Sequence, residues 1–331
     1  MKFFVTLPRG EIRDTFFTPD NAALITAFGE TVWHEGTESC TPEELVRGAK
    51  EADAVILCWG SPKITPELLA KLPKLKVIVH LGATVTPYVD SEVYDRGVAV
   101  LSGNDFYAES VAEGVIAYML AAQRDIPYYS GEMRKGNWVK GYNRGLLDRT
   151  VGLVSFGGIA RRVAEMLSVF RVNIKVYSRH IDESTLDAYH MQRADLDEIF
   201  STCDVISVHT ALVPATVGMI DRRLLSLIRK DALFINTARG AVVDEDALVE
   251  FLRAGRFRAV LDVFTQEPLP AENGLRECGN ALLMPHMGGP TVDRRRYITT
   301  ALLKETADFL TSGVRPAHEI DRMTASAMSA F

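Results

Sequence analysis

The chain has 331 residues, enough for two domains of ordinary size that each bury a core. Its composition, 47% hydrophobic and 24% charged, is that of a globular protein. A formal net charge of -6 leaves no basic footprint for nucleic acid and no polybasic stripe for an anionic membrane, so an acidic ligand must be held by local cations.

The start, MKFFVTLPRGEIRD, has a five-residue apolar run before Pro8 and Arg9 and reads as a first strand rather than a signal segment. The apolar stretch 114–122 is too short to span a bilayer. Cys40, Cys58, Cys203 and Cys278 are scattered, without a CxxC pair or a His at metal spacing. That pattern predicts reduced thiols, a cytoplasmic location and no structural metal site.

Three helix starts share one device: Thr18-Pro19-Asp20, Thr41-Pro42-Glu43 and Thr65-Pro66-Glu67. Each offers a Thr N-cap, a Pro suited to the first helical position, and an acid facing the positive helix end. Glu44 adds a capping box to the second. Between and after them lie apolar runs at 3–7, 31–33, 54–58, 77–81 and 98–101. Strands alternating with helices at this pace predict βαβ units on a parallel sheet.

Ser110-x-x-Glu113 is a further capping box, predicted to open a helix that runs to about residue 123. Segment 126–145 is polar, aromatic and Gly-rich, and is expected to be an arm or linker into a second domain. A second set of six strands is predicted at 150–156, 173–178, 204–209, 232–237, 259–264 and 281–285. Helices are expected between them, for example at 161–170 and 246–253, the latter capped by Asp244. Six strands with crossover helices are what a dinucleotide-binding fold needs. A last helix at 292–310 is expected to return to the first domain.

Residues 151–160, VGLVSFGGIA, run from a strand into a helix, the context of a pyrophosphate turn. The match to GxGxxG is partial: Ser155 stands at the first Gly, Gly157 at the second, and Ala160 at the third. The next strand ends in Tyr177-Ser178-Arg179-His180, with no carboxylate for ribose hydroxyls and with positive neighbours for a 2′-phosphate. NADP(H) is therefore expected over NAD(H), the plain alternative being an Arg179 that stacks on adenine or is merely solvated.

Three blocks follow at strand ends: NTARGAVVDE (236–245), LDVFTQEP (261–268) and MPHMGGPT (284–291). Loops beyond the carboxyl ends of parallel strands form the ligand crevice, so Arg239, Glu267 and His286 can converge. A guanidinium can hold a carboxylate and polarise a carbonyl, and an imidazole can exchange a proton near neutrality. A neighbouring carboxylate orients and favours the protonated ring. Each residue alone has a bland reading, Arg239 as a surface charge and Glu267-Pro268 as a turn. Trp59 and Trp138 read first as packing, and His34, His190 and His318 carry no context.

The blocks NTARGAVVDEDAL, LDVFTQEPLP and MPHMGGPT resemble the signatures of the D-isomer-specific 2-hydroxyacid dehydrogenases, glyoxylate/hydroxypyruvate reductase-like or phosphoglycerate dehydrogenase-like. The resemblance runs from about Leu75 to Thr291. It implies an α/β fold of two Rossmann-like or flavodoxin-like domains with parallel sheets and a cleft between them. The substrate domain would be 1–103 plus 296–331, and the dinucleotide domain 104–295. It implies that Arg239 binds a small 2-keto or 2-hydroxy acid, that His286 is the acid/base, and that Glu267 pairs with it. Gly157, Gly158 and Ile159 would cover the pyrophosphate. Ser178, Arg179, Thr210, Thr237, Ala238, Asp262 and Gly288 would line the rest of the cofactor, and Gly82, Ala83 and Thr84 would hold the substrate carboxylate. It also implies a homodimer, with the arm around Trp138 on the partner. A cofactor-responsive corepressor of the same fold is the alternative to an enzyme.

Overall fold

In a computed structural model that describes residues 1–141 and 143–328, the alternating runs become two sheets whose strand pairs are all parallel. The chain divides into two units. One is Met1–Tyr107 with the segment from Pro290 onward, and the other is Ala108–Gly289. Tyr142 of the arm and the last three residues of the expected substrate domain lie outside the described residues.

The first unit holds β1 (Lys2–Val5), β2 (Glu30–Trp33), β3 (Ala54–Leu57), β4 (Val77–His80) and β5 (Ala99–Ser102), in the order β2-β1-β3-β4-β5. Every residue of β3, β4 and β5 is buried, as expected for strands covered on both faces. Thr41 and Glu44 complete their capping box: the Thr41 hydroxyl accepts from Glu44 N at 3.3 Å and the Glu44 carboxylate accepts from Thr41 N at 2.9 Å. Thr65 accepts from Leu68 N. Thr18 occupies the third N-cap position without a side-chain bond to its helix, so there only the Pro and acid of the device operate. Helix Val292–Ser312 buries Ile298, Leu302 and Leu303 with Phe3, Val5 and Ile25. Asn21 fastens it further, donating to Arg296 O at 2.8 Å and accepting from the Thr300 hydroxyl at 2.6 Å.

The second unit has seven strands, one more than the six predicted. They are β6 (Thr150–Val154), β7 (Asn173–Tyr177), β8 (Met191–Arg193), β9 (Val205–Val208), β10 (Leu233–Asn236), β11 (Arg258–Leu261) and β12 (Ala281–Leu283). Their order, β12-β11-β10-β9-β6-β7-β8, is that of a dinucleotide fold with one added strand. The strand missed was β8, an edge strand of three residues with only Met191 buried, too short and too polar to show a period. One face packs Phe200, Phe234 and Phe257, and the other packs Leu153, Val163 and Ile174.

Two further expectations are corrected. Ser110 does not cap a helix; it is buried inside helix Asn104–Gln123, and the Ser102 hydroxyl accepts from Asn104 N instead. The predicted arm begins as helix Ile126–Arg134, which buries no side chain and so had no apolar face to reveal it. Asp244 caps its helix as expected, accepting from Ala247 N at 3.0 Å. All four cysteines are free and buried. No helix among the described residues is long and apolar enough to cross a membrane.

Two histidines carry buried ring nitrogens without a hydrogen-bond partner among the described residues. His80, stacked on Tyr88 with ring centroids 4.4 Å apart, has an unpartnered Nδ1, and both ring nitrogens of His209 are unpartnered. Burial pulls His80 down from 6.5 to about 3 and His209 from 6.5 to about 4. Because the folded values are depressed, their contribution to stability is present above about pH 6.5 and is lost as pH falls through that window. The urea midpoint should therefore decline on acidification from about pH 6.5. His80→Phe, which keeps an aromatic ring against Tyr88, should flatten the decline by up to one proton; equal slopes in the two proteins would contradict this reading.

Candidate functional site

The loops after β10, β11 and β12 lock into one another. After β10, the Asn236 side chain accepts from Ala238 N and donates to Arg239 O, both at 3.0 Å, which shapes the turn carrying Arg239. Gly240 then passes so close to the next loop that a Cβ there would lie 2.0 Å from the backbone carbon of Phe264. Only glycine permits that approach. Arg239 is half-buried, with Nη1 donating to Ala238 O at 2.7 Å. Burial pulls its guanidinium below its ordinary value, and the charge of Glu267 opposes that pull. An arginine lowered in this way still carries its charge at neutral pH.

After β11, Glu267 is held by the backbone: Oε1 accepts from Phe264 N at 2.9 Å. Its Oε2 lies 2.7 Å from His286 Nδ1. A carboxylate only accepts, so this bond places the proton on Nδ1 and leaves Nε2 as the nitrogen that can exchange a proton with a ligand. The imidazole is half exposed, at 50% of its side-chain surface. His286 sits at φ +55°, a left-handed conformation costly for a residue with a Cβ.

Asp262 holds that strained turn. Its carboxylate accepts from Met287 N at 2.7 Å, Gly288 N at 2.8 Å and the Tyr118 hydroxyl at 3.2 Å. Burial raises the Asp262 carboxyl above its ordinary value, and the two amide bonds are the largest effects opposing that rise. One turn earlier on the same helix, Gly114 lies against Gly288, where a Cβ would be 3.1 Å from the Gly288 carbonyl oxygen. Sequence reasoning missed Tyr118 and Gly114. The only signal was a glycine inside an apolar helical run, which often marks close packing.

On the cofactor side, Ser155 makes the turn at φ +76°, the conformation a glycine normally supplies. Its hydroxyl is 2.8 Å from that of Thr210, which in turn bonds Val154 O, so side-chain bonds help hold it. Gly157 caps helix Gly158–Leu167 without a side-chain bond, and Ala160 is fully buried against the sheet. Gly157 and Gly158 are exposed, and Ile159 is half-buried. The first turn holds no acid, and Arg161 and Arg162 follow it. An uncapped N-terminus of this kind favours an anion. The buried Thr237 hydroxyl has no hydrogen-bond partner among the described residues, as fits a position left for a ligand. These residues suit a dinucleotide. Ser178 is half-buried and Arg179 exposed at the end of β7, while Ala238 and Gly288 are buried. Gly82, Ala83 and Thr84 follow β4 in the other unit, Gly82 buried against the His80 ring.

The family model described as D-isomer specific 2-hydroxyacid dehydrogenase, NAD binding domain, matches residues 116–288. A D-3-phosphoglycerate dehydrogenase of Methanocaldococcus jannaschii is 32% identical over 290 residues, 86% of this chain and 54% of that protein. The chain thus spans about half the length of that relative. A glyoxylate reductase of Thermofilum pendens is 34% identical over 284 residues, 83% of each chain. Among solved structures, the TT0316 protein of Thermus thermophilus has a TM-score of 0.77 at 28% identity, over 97% of this chain and 100% of that one.

The interlocked loops make Gly240→Ala a sharp test. The added methyl meets backbone, so the Arg239 or Phe264 loop must move, at a cost of roughly 1–3 kcal/mol by urea denaturation. An unchanged midpoint would show that the two loops do not touch.

Proposed function

Because the chain belongs to the D-isomer specific 2-hydroxyacid dehydrogenase family, we propose that it is an NAD(P)-dependent oxidoreductase interconverting a small 2-keto acid and its D-2-hydroxy acid. The Ala108–Gly289 unit is the cofactor domain in this reading, and the other unit binds substrate. The observation that carries the proposal is the His286–Glu267 hydrogen bond, with the half-buried Arg239 electrostatically coupled to Glu267. A cofactor-responsive corepressor has no need of a carboxylate that fixes the tautomer of an imidazole, so the enzyme reading is preferred.

The nicotinamide, when bound, supplies the hydride chemistry. Gly157, Gly158 and Ile159 would hold the pyrophosphate at the helix N-terminus, and Thr210 and Thr237 would line the rest of the cofactor. Ala238, Asp262 and Gly288 would meet the nicotinamide end. The Arg239 guanidinium binds the substrate carboxylate and polarises its carbonyl, and its partial burial strengthens both interactions. In the other unit, Gly82, Ala83 and Thr84 carry the backbone amides that this reading assigns to substrate. In the reducing direction His286 gives a proton from Nε2 to the forming alkoxide, and in oxidation the same nitrogen takes it back. Glu267 stabilises the ring whenever it is charged.

Ser178 and Arg179 at the end of β7 support a preference for NADP(H). Glyoxylate reductase and phosphoglycerate dehydrogenase are both names of relatives. Exposed Ile126, Tyr128, Met133 and Trp138 along the arm support a homodimer that covers them. The four free, buried thiols support a cytoplasmic setting.

Oxidation of NAD(P)H against glyoxylate, hydroxypyruvate, pyruvate and bulkier keto acids tests the reading. His286→Ala or Arg239→Ala should lower kcat/KM by at least ~100-fold on the best acid. Tight cofactor binding with no turnover of any acid would move the protein to the corepressor reading, and near-normal turnover in either variant would remove that residue's role. NADPH should give the higher kcat/KM; a tenfold advantage for NADH would sink the cofactor preference.

A further inference from the structure

The scattered cysteines predicted no metal site, but the turn leaving β2 gathers three ligand types that the spacing alone does not advertise. His34 follows β2 directly and is buried to 6% exposure, and Cys40 is buried to 4% at the far end of an exposed loop. Glu44 lies in the first turn of helix Pro42–Ala49. One ligand atom from each side chain lies within 4.8 Å of the other two. We propose that His34, Cys40 and Glu44 bind a divalent cation of the zinc class, which staples the end of β2 to this helix.

The hydrogen bonds orient the trio. His34 Nε2 is 2.9 Å from Glu38 O, and a carbonyl only accepts, so in the neutral ring Nε2 carries the proton and the bare lone pair is at Nδ1. Fixing one imidazole nitrogen on a carbonyl is how protein metal sites commonly aim the other. Nδ1 faces Glu44 Oε2 across 3.9 Å, too far for a hydrogen bond. Zinc bonds of about 2.0–2.3 Å in a tetrahedron hold donor atoms roughly 3.3–3.8 Å apart, so the trio closes on an ion with about 1 Å of movement. Gly36 wraps the loop against the ring, since a Cβ there would lie 2.7 Å from His34 Nε2. Glu44 is also pinned, with Oε2 accepting from Thr41 N.

The charges agree with the geometry. Cys40 is buried to 4% exposure, and the Glu44 carboxylate sets a negative charge beside it. Arg47 lies 3.9 Å from Glu44 Oε1 and is 80% exposed. A cation at the centre is attracted by that carboxylate and stabilises the thiolate. The Cys40 S–H bond breaks, an Sγ–metal bond forms, and one proton leaves to solvent with no change of oxidation state. One sulfur, one nitrogen and one oxygen suit zinc and disfavour calcium or magnesium, and a water takes the fourth position.

The test uses the full chain, stripped with a chelator and titrated with Co²⁺ and then Zn²⁺. One Co²⁺ per chain should bind with a thiolate-to-metal charge-transfer band and release of one proton. Zn²⁺ should displace it and raise the Tm. Cys40→Ser should abolish the band. Glu44→Gln, whose amide oxygen can still accept from Thr41 N, should leave the fold intact and weaken binding at least tenfold. No band in the wild type means a plain His34–Glu44 contact and overturns the site. A band that persists in Cys40→Ser, or wild-type affinity in Glu44→Gln, overturns it equally.

Discussion

A buried carboxylate that would be costly if left unpaired holds the loop after β12. Asp262 is 2% exposed, and it is satisfied by the amides of Met287 and Gly288 and by the Tyr118 hydroxyl. Those bonds compensate for the left-handed backbone at His286 one residue earlier. Without them the ring has no fixed direction, and the 2.7 Å contact with Glu267 has no reason to persist. Glu267 repeats the arrangement, with one oxygen on Phe264 N and the other on the imidazole. Backbone amides thus set the side chains in place before any ligand arrives, the condition under which a hydrogen bond orients rather than merely stabilises.

The same economy of charge shapes the anion face. Helices that begin at Pro19, Pro42, Pro66, Leu196 and Glu245 carry acids in their first turn, which complete their own N-termini. Helix Gly158–Leu167 carries none, and its N-terminal amides have no side-chain cap. A positive end with no acid in its first turn suits an external anion. Ser155 adopts a glycine conformation there because Thr210 ties down its hydroxyl, which explains how the fingerprint survives without its first glycine.

At the other end of the molecule's chemistry, enclosure rather than exposure tunes the groups. His80 and His209 are kept neutral by burial. Arg239 is partly desolvated beside Glu267, so its charge acts through a lower dielectric than a surface arginine would meet.

Local chemistry by itself determined much of this protein. Apolar runs with branched residues marked eleven of the strands, because fully covered parallel strands leave a continuous hydrophobic signature. The Thr-Pro-acid device located helix starts, and the expectation that loops at strand ends converge is met where Glu267 touches His286. Tertiary structure decided the rest. β8 exists because β7 offers it an edge, since its three residues have too little pattern to form a strand alone. Ser110 looked like a cap, yet the helix extends back to Asn104 and buries it. Tyr118 reached Asp262, and His34, Cys40 and Glu44 reached one another, only through turns that no spacing encodes. A sequence pattern reports which face a residue presents to its own element; which distant group meets that face is set by how the elements pack.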